Sequence, residues 1–213
     1  MKSGSKDRNG GFLEGGFEYH PLTPRRWEDL ETLFGKSGAW GGCWCMWWRL
    51  SAAEFEKQRG TPNKATMRDI VDEGRVPGIL LYREGTPVGW CSIAPRDEFP
   101  RLNRSPLLKP VDAELVWSVV CFYVARAFRH QGINGKLLQA ALAYAKERGV
   151  KVVEGYPLDT DRENYPSPSA WTGFHPTFRR AGFEEVLRRR ATRPIVRYRF
   201  KDGATEREVQ DQA

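Results

Sequence analysis

The chain is short of the residues that build covalent or metal staples. Its 213 residues include four cysteines (Cys43, Cys45, Cys91, Cys121) and three histidines (His20, His130, His175). Four cysteines in a chain of this length do not make the disulfide framework of a small secreted domain. Cys43 and Cys45 stand two apart, which is neither the C-x2-C spacing of a zinc site nor a good spacing for a mutual bridge. No metal site is expected. Long apolar runs are also lacking, and no window approaches the roughly 18 to 20 apolar residues of a membrane span. The opening stretch MKSGSKDRNGGFLEGG has no apolar segment of a secretory signal. The expectation is a protein of the reducing cytoplasm with no membrane partner.

What is present suffices for one domain. Hydrophobic residues make up 40% and aromatics 12%, enough for a packed core. The formal net charge is +7, which suits a polyanionic partner: nucleic acid, a membrane surface or a phosphorylated cofactor. Much of the excess lies near the C-terminus, in Arg188, Arg189, Arg190, Arg193, Arg197 and Arg199. Arginines on the solvent faces of strands are the better reading for most of it.

The pattern along the chain reads as one α/β domain over residues 16–200, with a flexible leader over 1–15 and a flexible tail over 201–213. Phe17 to His20 reads as a strand. Thr23-Pro24 offers an N-cap and a first-turn proline to a helix carrying Trp27, Leu30, Leu33 and Phe34, which Gly35 ends. Ser51-Ala52-Ala53-Glu54 is a capping box. A further helix runs over 64–73, then a hairpin over 78–82 and 88–94. Residues 95–112 read as a loop. The run LVWSVVCFYV, Leu115 to Val124, reads as a central strand buried on both faces. Residues 135–148 form an amphipathic helix capped by Gly149. A strand over 150–154, a short helix over 175–181 and two strands over 185–190 and 194–200 complete the chain. The sum is a mixed sheet with helices on its faces.

One junction carries chemistry. Between the central strand and the amphipathic helix lies ARAFRHQGINGK, residues 125–136. A glycine-containing loop that opens a helix offers free N–H groups and the positive end of the helix dipole, which is what a pyrophosphate needs. Arg129, His130 and Lys136 add donors. The pattern is neither G-x-G-x-x-G nor a P-loop.

The longer stretch FYVARAFRHQGINGKLL resembles the signature of the GNAT superfamily of acyl-CoA-dependent N-acyltransferases. There an apolar strand ending in L-x-V is followed by R/Q-x-x-G-x-G/A and a helix. Phe122 and Val124 match the strand end, and Arg129 and Gly132 match the loop. Asn134 stands where glycine or alanine is usual, with Gly135 directly after it. FRRAGFEEV, Phe178 to Val186, is similar to the superfamily's Y-x-K-x-G-F ending before its last two strands. Phe178 replaces the usual tyrosine. The resemblance covers about residues 17–200. It implies a mostly antiparallel central sheet flanked by helices.

The resemblance also implies roles. Phe122, Tyr123 and Val124 would bind the pantetheine arm of acetyl-CoA, beside a bulge that splays two strands. Arg129, His130, Gln131, Gly132, Ile133, Asn134, Gly135 and Lys136 would bind its pyrophosphate. A backbone N–H near Phe122 or Tyr123 would polarise the thioester carbonyl. An amine would attack the thioester directly, with a base taking its proton. Glu154, in VVEGYPLD, is the first candidate base, and Glu114, before the central strand, is the second. With Phe178 at the tyrosine position, Tyr123, Tyr156, Tyr165 or water would protonate the leaving thiolate. Two other readings compete: a protein of this fold that holds CoA without catalysis, and a basic nucleic-acid-binding module, for which no motif speaks. Members are often homodimers, although nothing in the sequence shows an interface.

The stretch GGCWCMWWR, Gly41 to Arg49, concentrates three tryptophans in nine residues. The resemblance sets it over the acceptor site. Trp44, Trp47 and Trp48 are therefore expected to wall an acceptor pocket for a small-molecule amine, with Trp171 facing them. Trp44 and Trp48, four apart, should share one side, and Trp47 should turn away. A small core beneath a glycine-flanked loop is the competing reading.

Overall fold

The structure is a computed structural model, and it describes residues 10–160 and 170–201. Eight strands form one sheet: β1 (Gly11–Leu13), β2 (Phe17–Pro21), β3 (Ile79–Arg83), β4 (Thr86–Pro95), β5 (Trp117–Val124), β6 (Val152–Gly155), β7 (Glu184–Arg188) and β8 (Pro194–Arg199). Their order is β1-β2-β3-β4-β5-β6-β8-β7. Every pairing is antiparallel except β5 with β6. The helices are α1 (Trp27–Phe34), α2 (Ala52–Lys57), α3 (Thr61–Asp72), α4 (Pro100–Arg104), α5 (Ile133–Glu147) and α6 (His175–Arg180). Among the described residues, no helix is long and apolar enough to cross a membrane.

The helices divide between the two faces of the sheet. Leu30 and Phe34 of α1 and Met67 and Val71 of α3 pack with Leu80, Trp90 and Val120 on one face. Leu137, Leu138 and Ala141 of α5 and Phe178 of α6 pack with Leu81, Val88 and Phe122 on the other. The parallel β5–β6 pair needs a crossover, and α5 supplies it. β5 is the middle of this sandwich, which is why its sequence shows no polar alternation.

The sequence expectations hold for most elements, with local differences. Ser51 and Glu54 form the capping box in both directions. Thr23 makes no side-chain cap, and Pro24–Arg26 form a 3-10 turn before α1. The expected loop over 95–112 contains α4, opened by Pro100. Within the expected leader, Gly11–Leu13 pair with β2 as an edge strand. Three residues of mixed exposure give too little period to be read as a strand from sequence.

Candidate active site

β5 is built to open the sheet. Cys121 pairs with Ser92 of β4 and Val119 with Ile93, so Val120 is the extra residue of a bulge. The bulge resets the alternation: Val120 and Cys121 pack on the same face, and Phe122 returns to the other. The indole N–H of Trp48 donates to the Val120 carbonyl at 3.1 Å and fixes the bulge in place. β6 pairs with β5 only over Trp117–Val119, and beyond Val119 the two strands part. The Ala125 N–H donates to the Val88 carbonyl at 3.0 Å, which sets the phase of the ladder. By that phase the Tyr123 N–H faces β4, whereas the N–H groups of Phe122 and Val124 face the gap.

The gap is partly filled by the chain itself. The Phe122 N–H donates to the Trp171 carbonyl at 2.7 Å. Leu158 anchors the same segment twice, donating its N–H to the Gly173 carbonyl and accepting from the His175 N–H, both at 2.8 Å. Gly173 has φ 80°, and a Cβ there would meet the Phe122 and Phe178 rings at 3.0 Å. The expected oxyanion donor at Phe122 is therefore taken by a backbone carbonyl, and the Tyr123 N–H faces the ladder. Of this strand end, Val124 presents the N–H that faces the gap. Tyr123 contributes its side chain, set edge-on against Phe34 with centroids 5.3 Å apart.

The loop after β5 exposes backbone. His130 and Gly132 have φ of 61° and 73°, and Gly132 is the N-cap of α5. These left-handed turns swing the chain so that α5 starts at the mouth of the gap. The Gly135 and Lys136 N–H groups donate to the Gly132 carbonyl, and those of Ile133 and Asn134 have no helical partner. A Cβ at Gly132 or Gly135 would meet nothing, so both glycines face open space. Asn134 Oδ1 is buried with no hydrogen-bond partner. The expected cofactor residues Phe122 to Val124, Arg129, His130 and Gly132 to Lys136 line one cavity of about 1110 Å3. Gln131 is the exception: its side chain braces the loop on the Ala127 carbonyl at 2.9 Å and is not part of the wall.

The other end of the same cavity is aromatic. Trp47 and Trp171 line it, together with Trp40 and Phe55. Trp47 stands edge-on to Phe55 at 5.1 Å and to Trp171 at 6.2 Å. The Arg101 guanidinium lies 3.6 Å from the Trp47 ring centroid and donates to the Trp47 carbonyl. Trp44 and Trp48 do share a side, but that side is the core, which corrects their assignment as acceptor-binding residues. Trp44 stacks on Trp27 with centroids 6.1 Å apart, and Trp48 holds the bulge. The reason is local: Trp44 and Cys45 have φ of 44° and 57°, so the chain coils tightly instead of forming a helix. Trp40 lay just outside the expected stretch. No periodicity marks it, and only its 66% exposure beside a cavity does.

Three thiols face this end: Cys43, Cys45 and Cys121. Cys45 Sγ accepts the Trp90 indole N–H at 3.1 Å and lies 3.7 Å from Cys121 Sγ. Burial pushes the Cys43 thiol up to about 11. The contact with Cys45, then burial, hold Cys121 well above the ordinary thiol range. Cys43 and Cys121 are thus protonated, small apolar lining at neutral pH and not nucleophiles.

Glu154 is not brought to the cavity, which corrects its expected role as base. It is fully buried within the sheet. Oε1 accepts from Arg96 Nη1 at 2.6 Å and from the Tyr156 hydroxyl at 2.7 Å, and Oε2 accepts from Arg197 Nε at 2.8 Å. Tyr156 also meets Arg96 and, at 2.8 Å, Ser118. Burial, then the Glu154 charge, push the Tyr156 hydroxyl well above its ordinary range, so it is no proton donor to a thiolate. Burial alone would lower the Arg197 guanidinium, but bonds to Asp112 and Glu154 raise it. Held by Arg96, Tyr156 and Arg197 and absent from the cavity wall, this carboxylate is not placed to take an amine proton. Glu114 is corrected likewise: it binds Arg199 at 2.6 Å and Arg197 at 3.0 Å, away from the cavity. Tyr165 lies outside the described residues.

The arginine-rich end is also largely spent inside the molecule. Arg189 binds the carbonyls of Leu107, Lys109 and Pro110, and Arg188 binds Asp159 and Glu185. Those arginines staple β7 and β8 to their neighbours.

Comparisons with known proteins bear on the family and the fold. The sequence model described as the acetyltransferase (GNAT) family matches residues 44–183. A GNAT-family acetyltransferase from Listeria monocytogenes is similar in fold, with a TM-score of 0.54 and 14% identity over 89% of this chain and 99% of that one. One from Streptococcus agalactiae gives 0.54 and 10% identity over 90% and 100%. The PaiA N-acetyltransferase of Thermoplasma acidophilum, solved in complex with coenzyme A, gives 0.48 and 16% identity over 86% and 99%. No curated protein sequence matches the chain.

Proposed function

The chain belongs to the GNAT acetyltransferase family, and from that premise we propose that it moves an acetyl group from acetyl-CoA to the amine of a small molecule. The observation that carries this reading is the single cavity joining the open start of α5 to the aromatic end. The loop fits a pyrophosphate. Its glycines leave room, and the helix start supplies unpartnered N–H groups. Arg129 and Lys136 supply positive charge at the same wall. Acetyl-CoA, when bound, supplies the activated thioester.

The rest is the work of this chain's own groups. Arg129 Nε holds the Val124 carbonyl at 3.2 Å and ties the loop to the strand end. The Val124 N–H faces the gap and is the amide positioned to pair with the pantetheine arm. Tyr123 supports a role as proton donor to the leaving thiolate, since its side chain lines the cavity at the strand end. A CoA thiol is acidic enough that a water in the same place serves too. The aromatic end offers the acceptor an apolar wall, which favours the neutral form of the attacking amine. The amine proton leaves to solvent or to the acceptor's own surroundings, not to Glu154 or Glu114.

The test is thiol release. Folded protein with acetyl-CoA and a broad panel of amines should release CoA faster with some of them than without. A protein that binds acetyl-CoA and releases none with any amine refutes the transfer reading.

A further inference from the structure

We propose that the acceptor is a flat, aromatic amine that also carries an acid group, and that Arg59 receives the acid while the Trp40–Trp47–Trp171 wall takes the ring. This rests on the transfer reading above and deepens it. Arg59 stands between α2 and α3 and lines the aromatic end of the cavity.

Its position is constructed, not incidental. Gly60 donates its N–H to the Gly42 carbonyl at 3.0 Å, and the fully buried Asn63 donates to the same oxygen at 3.1 Å. These bonds press the α2–α3 corner onto the turn after Trp40. The contact is too close for a side chain: a Cβ at Gly42 would lie 2.5 Å from the Gly60 nitrogen. A Cβ at Gly41 would touch the Arg59 guanidinium at 3.4 Å. Glycine at 41 and 42, with φ of 55° and 71°, is what lets Trp40 and Arg59 meet at one mouth.

The chemistry at that mouth selects. Trp40 is 66% exposed, an indole surface still to be covered, and Trp47 and Trp171, perpendicular to each other, line the same cavity. A flat ring fits such walls edge-on or offset. A cationic ligand is disfavoured, because the protein's own guanidiniums already sit on these rings: Arg101 over Trp47 and Arg59 over Phe55 at 5.4 Å. Among the described residues the charged side chains lining the cavity are cationic: Arg59, Arg129, Lys136 and Arg180. Arg59 has a partner, Glu56, at 2.6 Å, with side chains 48% and 59% exposed. An exposed pair of this kind gives way to an arriving carboxylate at little cost, and the guanidinium fork matches a carboxylate in two parallel hydrogen bonds.

The experiment uses matched pairs of amines that differ by one carboxylate: tryptophan with tryptamine, tyrosine with tyramine, 4-aminobenzoate with aniline. kcat/KM is measured for each with acetyl-CoA, on the wild type and on Arg59→Gln and Arg59→Glu. At least one acid should exceed its partner by about tenfold or more in the wild type, the order expected of a charge-assisted bidentate contact. Arg59→Gln should erase that preference through KM, and Arg59→Glu should invert it, with acetyl-CoA affinity unchanged. Better turnover of every decarboxylated amine, or equal slowing of both members of each pair, overturns the inference and leaves the transfer reading standing. If no pair is turned over, tryptophan-fluorescence titration of the CoA-loaded protein decides. Binding of an acid that Arg59→Gln abolishes supports the inference, and acid binding that is absent or indifferent to Arg59 overturns it. The transfer reading would then have fallen separately, on thiol release.

Discussion

The two ends of the cavity are made of different material. The end at α5 is made of backbone: left-handed turns at His130 and Gly132, unpartnered N–H groups, and glycines with open space before them. The end at the tryptophans is made of side chains set on a coiled loop and on the segment after Ala170. Backbone sites need a few residue types at fixed offsets, because only they permit the geometry. Side-chain walls need only bulk and a direction, and many sequences supply both. A superfamily can therefore keep the first end and vary the second.

Substitutions separate the two ends. The largest effect is expected outside both ends, at Glu154. Glu154→Gln leaves Arg96 and Arg197 without their carboxylate inside the sheet, a loss of about 3–5 kcal/mol for breaking a buried pair. Urea unfolding should show that loss, while turnover per folded molecule stays within about twofold, far short of the roughly 100-fold expected from removing a general base. Full stability with lost turnover would restore Glu154 as the base.

Trp47→Ala and Trp171→Ala come next. Each should raise the acceptor KM by roughly tenfold, as for loss of about 1–2 kcal/mol of ring contact, and leave the acetyl-CoA dissociation constant alone. Calorimetry beside steady-state kinetics separates the two. A matching loss of acetyl-CoA affinity would mean that the two ends are not separable.

Gly42→Ala tests how the acceptor end is assembled. A side chain there meets the Gly60 backbone in a left-handed turn, a strain of about 1–3 kcal/mol. Thermal unfolding should report the strain, and the acceptor KM should rise with it. The smallest effect is acid sensitivity. Lys64 lowers Glu31, Arg197 lowers Asp112, Arg199 lowers Glu114 and Arg188 lowers Glu185. Groups lowered in the fold contribute stability that is fully present above the ordinary carboxylate range, about 4, and lost as pH falls through the folded values. Asp112, Glu114 and Glu185 are exposed and Glu31 is half-buried, so unfolding midpoints should decline only slightly between pH 5 and 3, and less at high salt.

The legibility of the sequence follows the same division. FYVARAFRHQGINGKLL gives the strand, the turn and the helix start because each obeys a local rule. The bulge at Val120 is invisible there, since it depends on the register with β4. GGCWCMWWR announces aromatic bulk but not its direction. Two left-handed residues send Trp44 to the core and leave Trp47 at the cavity. Glu154 reads as a base from its place at a strand end. Its partners Arg96 and Arg197 lie 58 and 43 residues away in sequence, and only the folded sheet brings them together. Arg59 carries no signal in the sequence, because what defines it is the contact of its corner with Gly42.

The central claim is that the loop at the start of α5 holds the pyrophosphate of acetyl-CoA. Calorimetric titration of the wild type with acetyl-CoA, beside the double variant Arg129→Ala, Gly132→Asp, tests it most directly. A Cβ at Gly132 meets open space, but φ 73° strains an aspartate there and sets its charge at the phosphate site. Micromolar binding is expected in the wild type and none in the folded double variant. Equal binding by both, or none by a folded wild type, would contradict it.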